Sequence, residues 1–538
     1  MSGILAVIGK GKDPQLVKEL SERMSHRGPD ESDLHIMENG SIICHESLSI
    51  IDLKSGKQPI QGTKNAWMIH DGEIYNHQEI REGILKNHTF RTKSDSEVIV
   101  HLFEEFGYDF CNMMDGDFAF VIIDGDDYIA GRDPIGVKPL YYGLDERGRI
   151  YFSSEMKSIA DQCKSFSTFP PGHYYTAKTG FVKYYDPEYE DHENANQSLD
   201  LDLIRVTLTE AIRKRLMSDV PVGVLLSGGL DSSLIAAITS RLLAENGKKL
   251  RSFSIGLDAD SPDNIVARKA AEFLGTEHHE VHFTIEEGVE IIEKIIYHIE
   301  TYDIISVRAG VPMYLLSKAI SEKGIKVILS GEGADEIFGG HLYFRNAPSA
   351  EEFQKETIER VQKLFTADIL RADKATMANS LEIRLPFLDK EFLDVAIRIK
   401  TEEKQPKTYD GAEKYILRKA FDTPENPYLP TEVLWRQKEQ FSDGVGYSWI
   451  NELIEYCSAQ VSDEQLAGAA VEFPYNPPTT KEAYFYRSVF HKYYPQTSAA
   501  QTVRKWIPKW QDNPDPSGRA NSAHIKADTE IAKSGIAV

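Results

Sequence analysis

The sequence predicts a two-part protein of mixed α+β and α/β class: a strand-rich first third of antiparallel sheets, followed by a parallel α/β domain. Three observations carry this. The 538 residues are too many for one hydrophobic core. Before about residue 185, short apolar runs are bounded by Asp-Gly, Gly-Arg and similar turn signals. After about residue 198, helical and strand patterns alternate, as in a parallel sheet with helices on its faces.

In chain order, residues 1–10 are apolar from the start and lack the basic segment that precedes a signal-peptide core, so they read as a buried opening strand. Helices are expected near 15–24 and 96–106, and strands at 67–69, 119–123 and 150–152. The polar, acidic, aperiodic stretch 186–197 (DPEYEDHENANQ) is the expected linker between a domain over 1–190 and another over 199–510. Next come a helix over 203–216, a strand over 221–226, a helix to about Ala244, and strands over 250–255 and 325–329. Most of the remainder to Tyr494 reads as helical. Residues 511–538, rich in Pro, Ser, Asn and Lys, are expected to form a loose tail.

Bulk properties exclude several classes. A net charge of −23 repels phosphate backbones, so nucleic acid is not expected as a partner. No apolar run reaches the length of a membrane span. Cys44, Cys111, Cys163 and Cys457 are scattered without a CxxC pair, which argues against disulfides and zinc knuckles and for a cytoplasmic setting. The run His278-His279-Glu280-Val281-His282 has metal-ligand residue types, but it is not HExxH and falls on an expected strand, where neighbours face opposite ways.

The strongest chemical signal is Ser227-Gly228-Gly229-Leu230-Asp231-Ser232-Ser233, between a buried strand and a helix. Glycines let backbone N–H groups approach phosphate oxygens, Ser227 and Ser232 add donors, and the helix N-terminus favours negative charge. Asp231 is suited to hold Mg²⁺. This is no Walker A loop; it resembles the loop of the ATP pyrophosphatases, which split ATP between the α- and β-phosphates. A second constellation, Ser330-Gly331-Glu332-Gly333-Ala334-Asp335-Glu336, follows another strand, and ligands collect at the carboxyl ends of parallel strands. Its carboxylates suit Mg²⁺ and a substrate ammonium or attacking amine. In 435–444, WRQKEQFSDG, Lys438 is placed to neutralise charge developing on the α-phosphate.

With LEIRLPFLD at 381–389, these motifs resemble, in order, the synthetase domain of the glutamine-dependent asparagine synthetases. The first part is similar to that family's glutaminase domain through 25–30 (SHRGPD), 72–76 (GEIYN) and 131–133 (GRD). The resemblance spans nearly the whole chain. It implies an N-terminal-nucleophile (Ntn) hydrolase αββα sandwich joined to an ATP-pyrophosphatase domain, with ATP and Mg²⁺ as cofactors. In the family, aspartate becomes β-aspartyl-AMP and is attacked by ammonia from glutamine; a homodimer is among the assemblies the resemblance allows. Carried over, Asp231 and Asp335 would bind Mg²⁺, while Leu225, Ile255, Ser330 and Gly331 would contact adenosine. Lys438 would stabilise the adenylation transition state, and Glu332 would order the adenylate and deprotonate ammonia. Arg384 would belong to the substrate-side wall, and Glu73 and Asp95 to the glutamine side, Asp95 binding its ammonium.

The glutaminase half departs from the family pattern. The nucleophilic Cys after the initiator Met is Ser2, a far poorer nucleophile, although an N-terminal α-amine could serve as its base. Ser47 stands where an Arg grips the glutamine carboxylate. Asp71 replaces an Asn that donates to the oxyanion, and losing one such donor costs about 2.7–4 kcal/mol. In 300–312, Ile305, Ser306, Gly310 and Val311 depart from a hydroxyl-rich pattern, while Arg308 is retained and suits an α-carboxylate. The expected function is therefore AMP-forming amide synthesis from an aspartate-like acid and ammonia or a small amine, with glutaminase activity lost. The alternatives are a ligase for another acid or amine, and a non-catalytic paralogue. The intact Asp231, Glu332, Asp335 and Lys438 oppose the latter.

Overall fold

The computed structural model describes residues 2–439 and 441–511. The expected tail over 512–538 lies outside the described residues.

The first part is two stacked antiparallel sheets. One has six strands in the order Ser165–Thr168, Tyr141–Leu144, Ile150–Ser153, Ser2–Ile8, Ile42–Ser47, Glu31–Ile36. The other, also of six, runs Gly180–Lys183, His173–Thr176, Asp127–Arg132, Gly116–Asp124, Trp67–Ile74, Ile60–Gln61. Alternation along the strands builds the layers. Ile4 and Ala6 join Ile69, Val121, Ala130 and Phe152 between the sheets. Leu5 and Val7 face the other way, onto Val17 and Leu20 of the helix Pro14–Glu22. Met68, Phe118, Phe120 and Ile122 pack against the helix Glu97–Phe106. The result is an αββα sandwich.

The turn after Asp127–Arg132 is fixed by charge. Arg132 donates to the carbonyls of Lys138, Phe169 and Gly136, and Asp133 accepts from the backbone N–H groups of residues 135–138. The expected linker is packed rather than free. Its Tyr189 is buried, and Gln197 forms a bridge with Ile399, so a run that looks soluble in composition is held by its one large aromatic.

The second part contains a five-stranded parallel sheet in the order Glu277–His282, Arg251–Gly256, Val222–Leu225, Val327–Leu329, Glu382–Arg384. In sequence order this reads 3-2-1-4-5. The topological switch point therefore falls between Val222–Leu225 and Val327–Leu329, where open parallel sheets bind ligands. The helices Leu201–Arg215, Leu230–Ala244, Pro262–Leu274 and Ile304–Glu322 pack around it. Its core is continuous with the Leu5–Val17 layer of the sandwich. Among the described residues, no helix is long and apolar enough to cross a membrane.

Candidate active site at the switch point

The two loops found in the sequence leave adjacent strands at the switch point and line one cleft. Its walls include Leu225, Ser227, Gly229, Asp231, Ser232, Ile255, Ser330, Gly331, Glu332, Asp335 and Lys438. The first loop is stitched internally: the Ser227 and Ser232 hydroxyls are 3.0 Å apart, and the Gly229 N–H donates to Ser227 Oγ. Gly228 has φ +77°, and a Cβ there would meet the Ala267 nitrogen at 2.6 Å. A Cβ on Gly331 would lie 2.8 Å from the Ser232 nitrogen, so glycine lets the two loops touch.

Charge converges on the cleft from four segments. Lys414 Nζ donates to Asp231 at 2.7 Å and to Asp335 at 2.7 Å, and Lys438 Nζ lies 2.7 Å from the other Asp335 oxygen. Burial alone would raise the Asp335 carboxyl, but Lys414 and Lys438 outweigh it and hold it well below the usual range. Lys438 is pushed up, because Asp335 and Asp231 overcome its desolvation. Lys414 was not found by sequence reading. It sits in a left-handed conformation (φ +53°) before the helix Tyr415–Phe421, and its segment carries no motif beyond a lone Lys. Glu413 beside it accepts the Lys438 N–H at 2.8 Å and so fixes that loop.

Asp231 and Asp335 share one ammonium, so their oxygens converge as two ligands of one cation must. Among the described residues no three His, Cys, Asp or Glu side chains form a fuller ligand set. Two convergent carboxylates suit Mg²⁺, which commonly takes one or two carboxylates plus phosphate and water oxygens.

Glu332 accepts from Arg371 Nη2 at 2.7 Å, and Arg371 Nη1 also holds Asp368 at 2.9 Å. Burial pushes the Glu332 carboxyl up to about 7; Arg371 opposes this, and Asp368 and Glu336 reinforce it. A carboxylate so tuned is matched to proton transfer near neutral pH.

Other expected residues lie elsewhere. Arg308 makes a bidentate pair with Glu482 at 2.8 and 2.7 Å, both buried, tying the helix Ile304–Glu322 to Lys481–Tyr493. Arg384 does not line the cleft. It donates to the carbonyls of Arg215 and Met217 and lies 3.5 Å from Glu73, at the contact between sandwich and parallel sheet. Gly310 faces Ile295 and Val311 is fully buried, so both are core positions. His278 hydrogen-bonds Ser252 and Ser254 within the sheet.

On the glutaminase side, Ser2 and Ser47 are opposite each other in the ladder. The Ser2 backbone N–H donates to Asp71 Oδ1 at 2.8 Å, and Arg27 Nη2 donates to Asp71 Oδ2 at 3.0 Å. Asp95 accepts from the Ile74 N–H at 2.8 Å. Glu73 is buried, and its carboxyl is raised well above the usual range by burial and by Asp95 and Glu382.

Comparison with known proteins agrees with this layout. A family model described as asparagine synthase matches residues 203–352 and 346–512. One described as a glutamine amidotransferase domain matches residues 1–183. The chain is 48% identical to glutamine-hydrolyzing asparagine synthetase 1 of Arabidopsis thaliana, over 98% of this chain and 95% of that one. It is likewise 48% identical to the glutamine-hydrolyzing asparagine synthetase of Asparagus officinalis, over 97% and 92%, and to that of Zea mays, over 98% and 95%.

Proposed function

Because the chain belongs to the asparagine synthetase family, we propose that it activates aspartate with ATP, releasing pyrophosphate, and converts the acyl-adenylate to the amide with free ammonia. The observation that supports this most is the convergence of Asp231, Asp335, Lys414 and Lys438 beside Glu332 at the switch point. The Ser227–Ser232 loop holds the leaving phosphates, and Leu225, Ile255, Ser330 and Gly331 contact the adenosine. Asp231 and Asp335 hold Mg²⁺, which when bound neutralises phosphate charge. Lys438 stabilises the α-phosphate in adenylation. Glu332 takes the proton from the attacking amine.

Glutaminase activity is proposed to be lost, in contrast to what the relatives' names state for those proteins. Three properties of the pocket support this. Ser2 supplies a hydroxyl in place of a thiol. Asp71 offers acceptors where the oxyanion needs a donor, and both its oxygens are already engaged. In a processed chain, a carboxylate 2.8 Å from the Ser2 nitrogen would also hold the α-amine protonated and remove it as a base.

The test is product analysis with ATP, Mg²⁺, aspartate and either ammonium or glutamine. AMP, pyrophosphate and asparagine are expected with ammonium. ADP as the stoichiometric product would sink the synthetase reading, and glutamate release keeping pace with amide synthesis would sink the loss of glutaminase.

A further inference from the structure

The last described segment returns across the synthetase part and buries one side chain against it. Trp506 is 8% exposed and forms a small cluster with Ile305 and Ala367. Its backbone N–H donates to Asp303 Oδ1 at 2.9 Å, while Asp303 Oδ2 accepts the backbone N–H and hydroxyl of Ser306. The Arg360 guanidinium lies 3.9 Å over the indole, and its Nη2 donates to the Ile507 carbonyl at 2.7 Å. Lys509 pairs with Glu356 and Glu359, each at 2.6 Å. Lys505 before the tryptophan also donates to the Pro477 carbonyl at 3.2 Å, so the segment is anchored on both sides of Trp506.

Three of the groups that Trp506 touches, Ile305, Ala367 and His341, belong to segments that also shape the site on the Glu332 side. Ile305 is on the helix that carries Arg308 and supplies Met313 and Leu316 to the cleft. Ala367 precedes Asp368, the second partner of the Arg371 that holds Glu332. His341, whose ring centre is 5.5 Å from the indole, follows the Glu332–Asp335 loop and pairs with Glu336 at 2.6 Å. The adenosine side, Leu225 and Ile255, belongs to the neighbouring strands Val222–Leu225 and Arg251–Gly256. One rigid aromatic thus braces three elements that flank Glu332, whereas Leu225 and Ile255 lie on strands it does not touch; Ser330 and Gly331 share the loop that leads to His341.

We infer that Trp506 is a specificity-determining residue for the acid substrate, setting the depth of the acid side by fixing Ile305, Ala367 and His341. The inference rests on the proposed synthetase reading. It also gives the C-terminal segment a part in catalysis that its composition does not announce.

The experiment measures AMP release by the full chain with aspartate and with glutamate, one methylene longer, for wild type, Trp506→Phe and Trp506→Ala. Trp506→Ala should raise the aspartate KM about tenfold or more and lower the aspartate-to-glutamate ratio of kcat/KM, with the ATP KM unchanged. Trp506→Phe should fall between. Should Trp506→Ala not fold, Ile305→Ala, on the other side of the same contact, is read by the same split. Unchanged acid KM and selectivity in a folded variant overturns the inference, as does a parallel rise of acid and ATP KM. Wild-type protein that releases no AMP with any acid overturns the synthetase reading itself, and the inference with it.

Discussion

The guanidinium of Arg27 lies 3.0 Å from the Asp71 carboxylate, and neither side chain is exposed. The same guanidinium reaches Glu155 at 3.2 Å and, from the synthetase part, Asp373 at 2.8 Å. Around it Lys138, Lys157 and Lys374 meet Glu155, Glu300 and Asp373, all buried. The cations Arg27, Lys138, Lys157 and Lys374 thus balance the carboxylates Asp71, Glu155, Glu300 and Asp373 across the contact between the two parts. A buried network in balance tolerates the loss of one member poorly. Arg27→Met should lower stability by about 3–5 kcal/mol, read from urea unfolding. A loss below about 1 kcal/mol would show that the network is hydrated and weak.

Asp71 belongs to that network, which bears on what a thiol at residue 2 can do. If glutaminase activity is lost as proposed, Ser2→Cys alone should give no glutamate release from glutamine, because Asp71 and Ser47 would still stand where glutamine hydrolysis would need an oxyanion donor and a carboxylate-binding Arg. Glutamate formation by the single variant, followed by coupled assay, would place the loss at residue 2 alone.

Lys414 bridges the two carboxylates assigned to Mg²⁺ and stands where phosphate charge is expected. Lys414→Met should slow AMP formation about 10²–10³-fold, the effect of removing one oriented group that stabilises transition-state charge. Asp231→Ala should abolish turnover and leave the melting temperature close to wild type, since Asp231 lies at the cleft and not in the core. Normal AMP formation by either variant would move the phosphate site elsewhere.

Gly331→Ala tests the contact between the loops without touching a charge. Its Cβ would lie 2.8 Å from the Asp231 carbonyl carbon, Asp231 Cβ and the Ser232 nitrogen, none of which is the movable end of a side chain. The expected stability loss is about 1–3 kcal/mol, as for overpacking, with a larger proportional loss of AMP formation. A variant with full activity would mean that the loops are free to separate.

These residues also show what was legible in the sequence. The Ser227–Ser232 and Ser330–Asp335 loops were readable because glycine, serine and carboxylate types are packed into short runs after apolar strands. The antiparallel sheets followed from short apolar runs bounded by turn signals, and the parallel sheet from the alternation of helical and strand patterns. Lys414 was invisible, because its role depends on a fold that brings it from 183 positions away in sequence onto Asp231. Arg308, Gly310 and Val311 were read together as acid-site positions from the family pattern they match or depart from. A helix turns them in different directions, onto Glu482, onto Ile295 and into the core. The packed 186–197 stretch was missed because a single tyrosine anchors an otherwise polar run.

Glu332 supplies the last test, through pH. Burial raises its carboxyl to about 7, so the free protein holds a working base only above that pH. At a fixed concentration of free ammonia, kcat/KM for amide formation should rise about tenfold per pH unit below about 7 and level off above it. At fixed total ammonium the rise should be steeper and continue further, because deprotonation of the nucleophile adds to that of the base. Glu332→Gln should remove amide formation while pyrophosphate exchange into ATP persists, since adenylation does not need the base. Arg371→Ala should move the midpoint to higher pH, because Arg371 is the nearest group that stabilises the ionised carboxylate. A profile at fixed free ammonia that is flat from about pH 6 to about pH 8 would show that the proton leaves by another route.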